Sequence, residues 1–255
     1  MISLIISDVV GDNLDSIASG PTVPDESTFK DALEIIKKYE LLGKIPNSVK
    51  EHFEMGLTDK SLENTKPNDE CFTKIHNYLI GSVTSAVQEI KPFLDEKGFE
   101  VNYFSNNIIG EAREFGTSIY SLISQNVEER LDQNKSEKIA LIGTGELTVT
   151  IKGNGIGGRN QEMLLGFLNY VKDKKINYNF LIIGANLDGI EGNSKAMGAI
   201  VDNYVLEQMI SKNIDSEEFL ENNDSNSFFK KLGVDLITGP TGCNVNDLIL
   251  ILLSR

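Results

Sequence analysis

Histidine and cysteine are scarce in this chain of 255 residues. His52 and His76 are the only histidines, which leaves little for a Ser-His-Asp triad or a histidine-rich zinc site, and each reads as a surface or half-buried side chain. Cys71 and Cys243 lie far apart without CxxC spacing, so disulfide and metal frameworks are not expected and a reducing cytosol is the simplest setting. Basic charge is also short. There are 24 Lys and Arg against 38 Asp and Glu, a net charge of −14. That field repels nucleic acid and anionic membranes, so neither is an expected partner, and a small anionic substrate needs a local cation to be held. Long apolar runs are missing as well. The closing LILILLSR is far shorter than the roughly 20 residues that cross a bilayer. The opening MISLIISDVV has no basic region and meets Asp8 after a short apolar run, so it does not read as a signal peptide. A cytoplasmic protein is expected. No repeat, low-complexity segment or P-loop lysine motif occurs.

What remains is ordinary globular material, 40% apolar and 24% charged, long enough for one large or two modest domains. Ile2 to Ser7 predict a strand covered on both faces. A polar loop follows, then a helix over 29–43 capped by Ser27 or Thr28, and a second helix near 47–55. Strands and helices then alternate: strand 75–82, helix 83–98, strand 99–105 and helix 111–133. Strands are predicted at 138–143 and 146–153, a helix from 159 to about 174, and a strand at 177–185. A helix over 195–213, short helical pieces near Glu217 and Ser227, and strands at 234–239 and 247–254 complete the reading. The alternation predicts an α/β protein with two three-layer α/β/α lobes and mostly parallel sheets. The hydrophilic QNKSEK marks a boundary near residue 136, giving domains 1–135 and 136–255. Because the chain opens inside an apolar run, the first lobe is expected to be incomplete.

Three stretches carry the chemistry. GNGIGGRNQE (153–162) satisfies a glycine fingerprint between a predicted strand and helix, but that helix opens with Arg159, Asn160, Gln161 and Glu162 rather than an apolar packing face. The favoured reading is an anion site, with bare main-chain N–H groups at a helix start and a guanidinium beside them; a purely structural turn is the alternative. TGPTGCNVND (238–247) follows a predicted strand and is either an anion-binding nest or a tight connection. SDVVGDNLDSIASGPTVPD (7–25) sets Asp8 at a strand end and Asp12 four residues on. They are candidates to hold Mg²⁺ or to take a proton from a hydroxyl, with turn hydrogen bonding the alternative for Asp12 and Asp15. Glu146, Asp188 and Glu191 are either solvated loop acids or acids that position a metal or hydroxyl. Arg113, in GEAR, opens a helix and is read as pairing with a carboxylate.

Together these stretches, with GELTVTIKG and GAIVD, occur in the order found in the glycerate 2-kinase family, whose carboxyl-terminal portion is called MOFRL, and the resemblance runs over essentially the whole chain. It implies two α/β domains with a site in the cleft between them, and transfer of the ATP γ-phosphoryl to the 2-hydroxyl of D-glycerate with Mg²⁺. By matching position, Asp8 or Asp12 is the acid near the transferred group and Arg159 the cation on phosphate or carboxylate. Asp8 and Asp188 are the implied metal contacts. Ser19, Gly20, Thr22, Glu146, Gly157, Gly158, Asn160, Glu162, Gly239, Thr241, Gly242 and Asn244 are the implied substrate and nucleotide contacts. The implied partners are D-glycerate and ATP, with a homodimer or an upstream family segment bearing a lysine as further candidates. This sequence departs from the family at Leu187 and Glu191 of NLDGIEG, where TDGIDG is usual, and at Cys243, where threonine is usual. Alternative functions are a non-catalytic nucleotide- or partner-binding remnant and a hydroxypyruvate reductase.

Overall fold

The computed structural model describes residues 1–133 and 135–255. The chain divides into two compact units, Met1–Ile5 with Asn13–Leu79, and Ile6–Asp12 with Ile80–Arg255.

In the first unit, strands β1 (Ile2–Ile6) and β2 (His76–Gly81) pair as a two-stranded sheet. β1 is not covered on both faces as its apolar run suggests. Burial alternates along it, and Ile2 and Leu4 are 69% and 66% exposed. Helix α1 (Phe29–Lys38) starts where Thr28 and Asp31 cap each other reciprocally, and buries Leu33 and Ile36. It stops short of Gly43 because Glu40 turns left-handed at φ 53°, and the Leu41 N–H then closes on the Ile36 carbonyl at 2.9 Å. In helix α2 (Asn47–Gly56), His52 and Phe53 stack edge-on against Phe29. This unit thus holds two helices and a strand pair, not three full layers.

The second unit contains α3 (Val83–Glu96), β3 (Glu100–Ile108), α4 (Ala112–Asn126) with a π-helical turn at Val127–Leu131, β4 (Lys138–Gly145), α5 (Arg159–Val171) and β5 (Asn179–Asn186). There follow β6 (Gly198–Asp202), α6 (Asn203–Ser211), α7 (Ser216–Glu221), α8 (Ser225–Leu232), β7 (Asp235–Leu236) and β8 (Asp247–Ser254). Its six strands form one sheet in the order β3-β4-β8-β5-β6-β7. The α/β class is as read, and this unit has three layers. Ile139, Leu141, Ile249 and Ile251 face the core built with α4, α5 and α6, while Ala140, Ile142 and Leu248 face α3.

The sheet is not mostly parallel. Only β3 and β4 pair in parallel; β4-β8, β8-β5, β5-β6 and β6-β7 are antiparallel. An unbroken apolar run such as LILILL reports burial on two faces, which a central strand of either direction satisfies. Between β5 and β6 there is only a loop, so that connection returns antiparallel instead of crossing over. Across the expected boundary near 136, β3 bonds to β4, and both strands lie in the second unit. Two local readings change. Residues 146–153 make no strand, only an isolated bridge between Thr148 and Glu111. The stretch 195–213 is not one helix: GAIVD is strand β6, and Asp202 then caps α6 by accepting the Val205 N–H at 2.8 Å.

Helix α5 lies at the centre. Every residue from Asn160 to Leu168 is buried, as expected of a helix covered on all sides. β4 and β5 end at Gly145 and Asn186, and Asp247, which opens β8, pairs with both. That register brings Glu146, Asp247 and the loop after Asn186 to one edge of the sheet. Among the described residues no helix is long and apolar enough to cross a membrane.

Candidate active site

The glycines of GNGIGGRNQE are packed against the protein's own chain. A Cβ on Gly153, Gly155 or Gly157 would collide with Asn222, Asp224 or Ser225 respectively, and one on Gly158 with Glu191. Spaced by two, the first three lie along the turn 222–225 like one side of a zipper. The main-chain donors are consumed there too. Lys152 and Gly153 donate to Asn223 Oδ1, Asn154 to Asn222 Oδ1, and Gly155 to the Asn222 carbonyl. Ile156 donates to Asp224 Oδ1 and Gly157 to Asn193 Oδ1. From Lys152 to Gly157 the loop's N–H groups are therefore filled from within.

The start of α5 has an anion already, and it is Glu191. Oε2 accepts from the Asn160 main chain (2.8 Å) and side chain (3.1 Å), and Oε1 from the Gln161 main chain (2.9 Å) and side chain (2.8 Å). A carboxylate suits the positive end of a helix. Burial nevertheless pushes the Glu191 carboxyl up to about 7, with those N–H donors pulling it back and Asp247 adding to the rise. Asn160 is fully buried in this arrangement. Glu162, also buried, accepts from Arg113 Nε (3.1 Å) and Nη2 (2.8 Å) and from Asn223, so the carboxylate partner expected for Arg113 is Glu162, joined by Glu221 at 3.2 Å.

Arg159 is the cation left facing open space. Its Nε and Nη2 donate to the two oxygens of buried Asp247 at 2.5 and 2.9 Å, and Nη1 meets Glu146 Oε1 at 2.9 Å. Burial pulls the guanidinium down, but Asp247 and Glu146 outweigh it and hold the group above its ordinary value. Burial likewise raises the Asp247 carboxyl, with Arg159 opposing. Arg159 and Glu146 line a cavity of about 1000 Å³ with Gly157, Gly158 and Glu162, and an apolar wall that includes Val10 and Ile109.

Asp8 is exposed; Asp12 is half-buried in a left-handed conformation (φ 57°), 3.5 Å from the Thr84 hydroxyl. They flank Val10 in sequence but are not among the residues lining the cavity, and neither pairs with Arg159. Asp188 Oδ1 accepts the Ile190 N–H at 2.9 Å, a turn contact, and does not join Asp8. Among the described residues no three His, Cys, Asp or Glu side chains converge on a cation position. With the Asp188 oxygen spent on its own turn and Asp247 on Arg159, these acids do not fit a protein-built Mg²⁺ cage. Gly239, Thr241, Gly242 and Asn244 lie outside the cavity lining. Thr241 is a clasp, its N–H on the Asp188 carbonyl (2.8 Å) and its hydroxyl on that of Leu187 (2.7 Å). Asn244 Oδ1 accepts the Asn246 N–H. In the first unit, Ser19 (φ 62°) and Gly20 (φ 60°) border a separate hollow of about 480 Å³, and Thr22 exchanges hydrogen bonds with Asn77. Cys71 and Cys243 are free. Sequence reading missed Asp247 and the turn 222–225. An acid set directly against the apolar run LILILL was the available sign for the first; nothing in ENNDS marks the second.

Comparison with known proteins gives the same direction. The MOFRL family profile matches residues 139–247, and a domain of unknown function, DUF4147, matches residues 1–54. The chain is 39% identical over 254 residues to a glycerate 2-kinase of Pyrococcus horikoshii, and 39% over 250 residues to a D-glycerate 2-kinase of Thermotoga maritima. These alignments take in 99% and 98% of this chain but 56% of each relative, so the chain spans about half the length of the curated relatives it matches. The crystal structure of the Thermotoga maritima glycerate kinase superimposes with a TM-score of 0.81 at 39% identity, covering 99% of this chain and 56% of that one. With both family segments present in sequence and fold, the chain belongs to the MOFRL-type glycerate kinase family.

Proposed function

We propose that this chain acts in ATP-dependent phosphorylation of the 2-hydroxyl of D-glycerate, giving 2-phosphoglycerate, with Mg²⁺ accompanying the nucleotide, in the cytoplasm. One observation carries the reading. Arg159 presents a guanidinium edge to a large cavity in a chain 39% identical to a D-glycerate 2-kinase. Phosphoryl transfer asks for positioning and charge neutralisation more than covalent chemistry, and a planar arginine fork suits phosphate or carboxylate oxygens. In a protein of net charge −14 such a cation has to be local. About 1000 Å³ gives more room than a small hydroxy acid fills, and Val10, Ile109, Val149 and Ile151 offer an apolar wall for a nucleotide base. Asp8 and Asp12 are the carboxylates we assign to the proton of the attacking hydroxyl.

The test is coupled ADP release with D-glycerate and Mg²⁺. Glycerate-dependent release is expected, falling on the order of 100-fold in Arg159→Ala, as when one charge-stabilising group is removed. Turnover unchanged by that substitution would remove Arg159 from the reaction. ATP binding without release favours the non-catalytic alternative.

A further inference from the structure

The two acids on Arg159 are not equivalent. Asp247 takes the Nε/Nη2 edge with both oxygens, and its side chain is 3% exposed; Glu146 makes one contact, to Nη1, and is 45% exposed on the cavity wall. The backbone under Glu146 is fixed. Its N–H bonds to the Ile108 carbonyl at 2.8 Å, and Gly145 packs so closely on Ile108 that no Cβ fits. The side chain beyond lines the cavity and is partly exposed to it. A half-exposed ion pair contributes little to stability, so holding the fold is a poor account of this contact. What Glu146 does neutralise is Nη1, as a close ion pair and not as an aligned hydrogen bond, at the end of the fork that Asp247 leaves open to another partner.

We propose that Glu146 is an internal stand-in for the anionic ligand. Its carboxylate stands at Nη1 of Arg159 and swings aside when a phosphate or carboxylate group binds there. Asp247 keeps the guanidinium in place throughout. Glu146 is then a specificity-setting residue. An oxyanion that offers two oxygens to the Nη1/Nη2 edge compensates the guanidinium for the departing carboxylate, and a simple halide does not. This rests on the reading of Arg159 as the anion contact.

The test uses the full chain, titrated calorimetrically with inorganic phosphate and, separately, with D-glycerate, so that the phosphate and carboxylate sources are distinguished. Glu146→Gln is expected to bind at least one probe about two- to fivefold tighter than the unaltered chain, the range an exposed ion pair can supply. Glu221→Gln makes the same change in net charge beside Arg113 and is expected to leave both affinities unchanged. Equal or weaker binding in Glu146→Gln, an equal gain in Glu221→Gln, or no binding of either probe to any variant overturns the proposal. Tighter binding with no ADP release leaves the stand-in intact and removes the kinase reading. ADP release with unmoved affinities does the reverse.

Discussion

A carboxylate sealed from water has to have both oxygens bonded, and Glu191 meets that condition with four N–H donors from two consecutive residues. Its titration links the site to stability. The carboxyl stands at about 7 when folded against an ordinary 4.5. Between those values the folded chain holds the proton that the unfolded chain has released. The stabilisation is therefore full below about 4.5 and is lost as pH rises through about 7, on the order of 3 kcal/mol. Urea unfolding followed from pH 5 to 8 is expected to show this decline. Glu191→Gln is expected to flatten it, because an amide does not titrate in this range. A slope unaltered in the variant would mean that another group titrates. Arg159 was legible as a charged residue at a helix start, because an arginine among glycines has no packing reason to be there. The roles of Asp247 and Glu191 were not legible, since a lone acid in a loop looks the same whether solvated or buried.

At the scale of elements, the glycine loop and α5 form one construction: loop amides on the turn 222–225, helix amides on Glu191, guanidinium on Asp247. Glycine at alternate positions lets the two backbones lie against each other. A Cβ added to Gly155 meets the Asp224 Cα and the Asn222 carbonyl at 2.6 Å, where neither can move without breaking the ladder. Gly155→Ala is expected to cost about 1–3 kcal/mol by overpacking. At Gly43, where no atom lies within 4 Å, the same substitution is expected to stay within about 0.5 kcal/mol. Thermal melts of both variants check the contrast; equal losses would mean that the loop gives way. The glycine spacing made a close approach legible, because glycine implies one wherever it clusters. The identity of the approaching group was not legible, because main chain and ligand oxygens ask for the same bare N–H groups.

Across the molecule, order is expected to follow burial. β4, β5 and β8 carry most of the fully buried strand residues, whereas β1 exposes alternate side chains and pairs only with β2. Two-stranded pairs are marginal by themselves. Hydrogen exchange at Leu141–Ile142 and Leu248–Leu250 is expected to be at least ~100-fold slower than at Ile2–Ile5, and comparable rates would contradict that division. The sequence by itself determined most elements, a cap for the first helix at Ser27 or Thr28, the α/β class and the family, because these depend on local periodicity and on motifs read in order. Tertiary structure alone decided strand direction, the extent of the second unit and the partners of every charged group around Arg159. Those partners lie 88 residues away for Asp247 and 31 for the Asn160–Glu191 pair. Only the sheet edge that gathers the ends of β4 and β5 with the start of β8 determines which segments meet there.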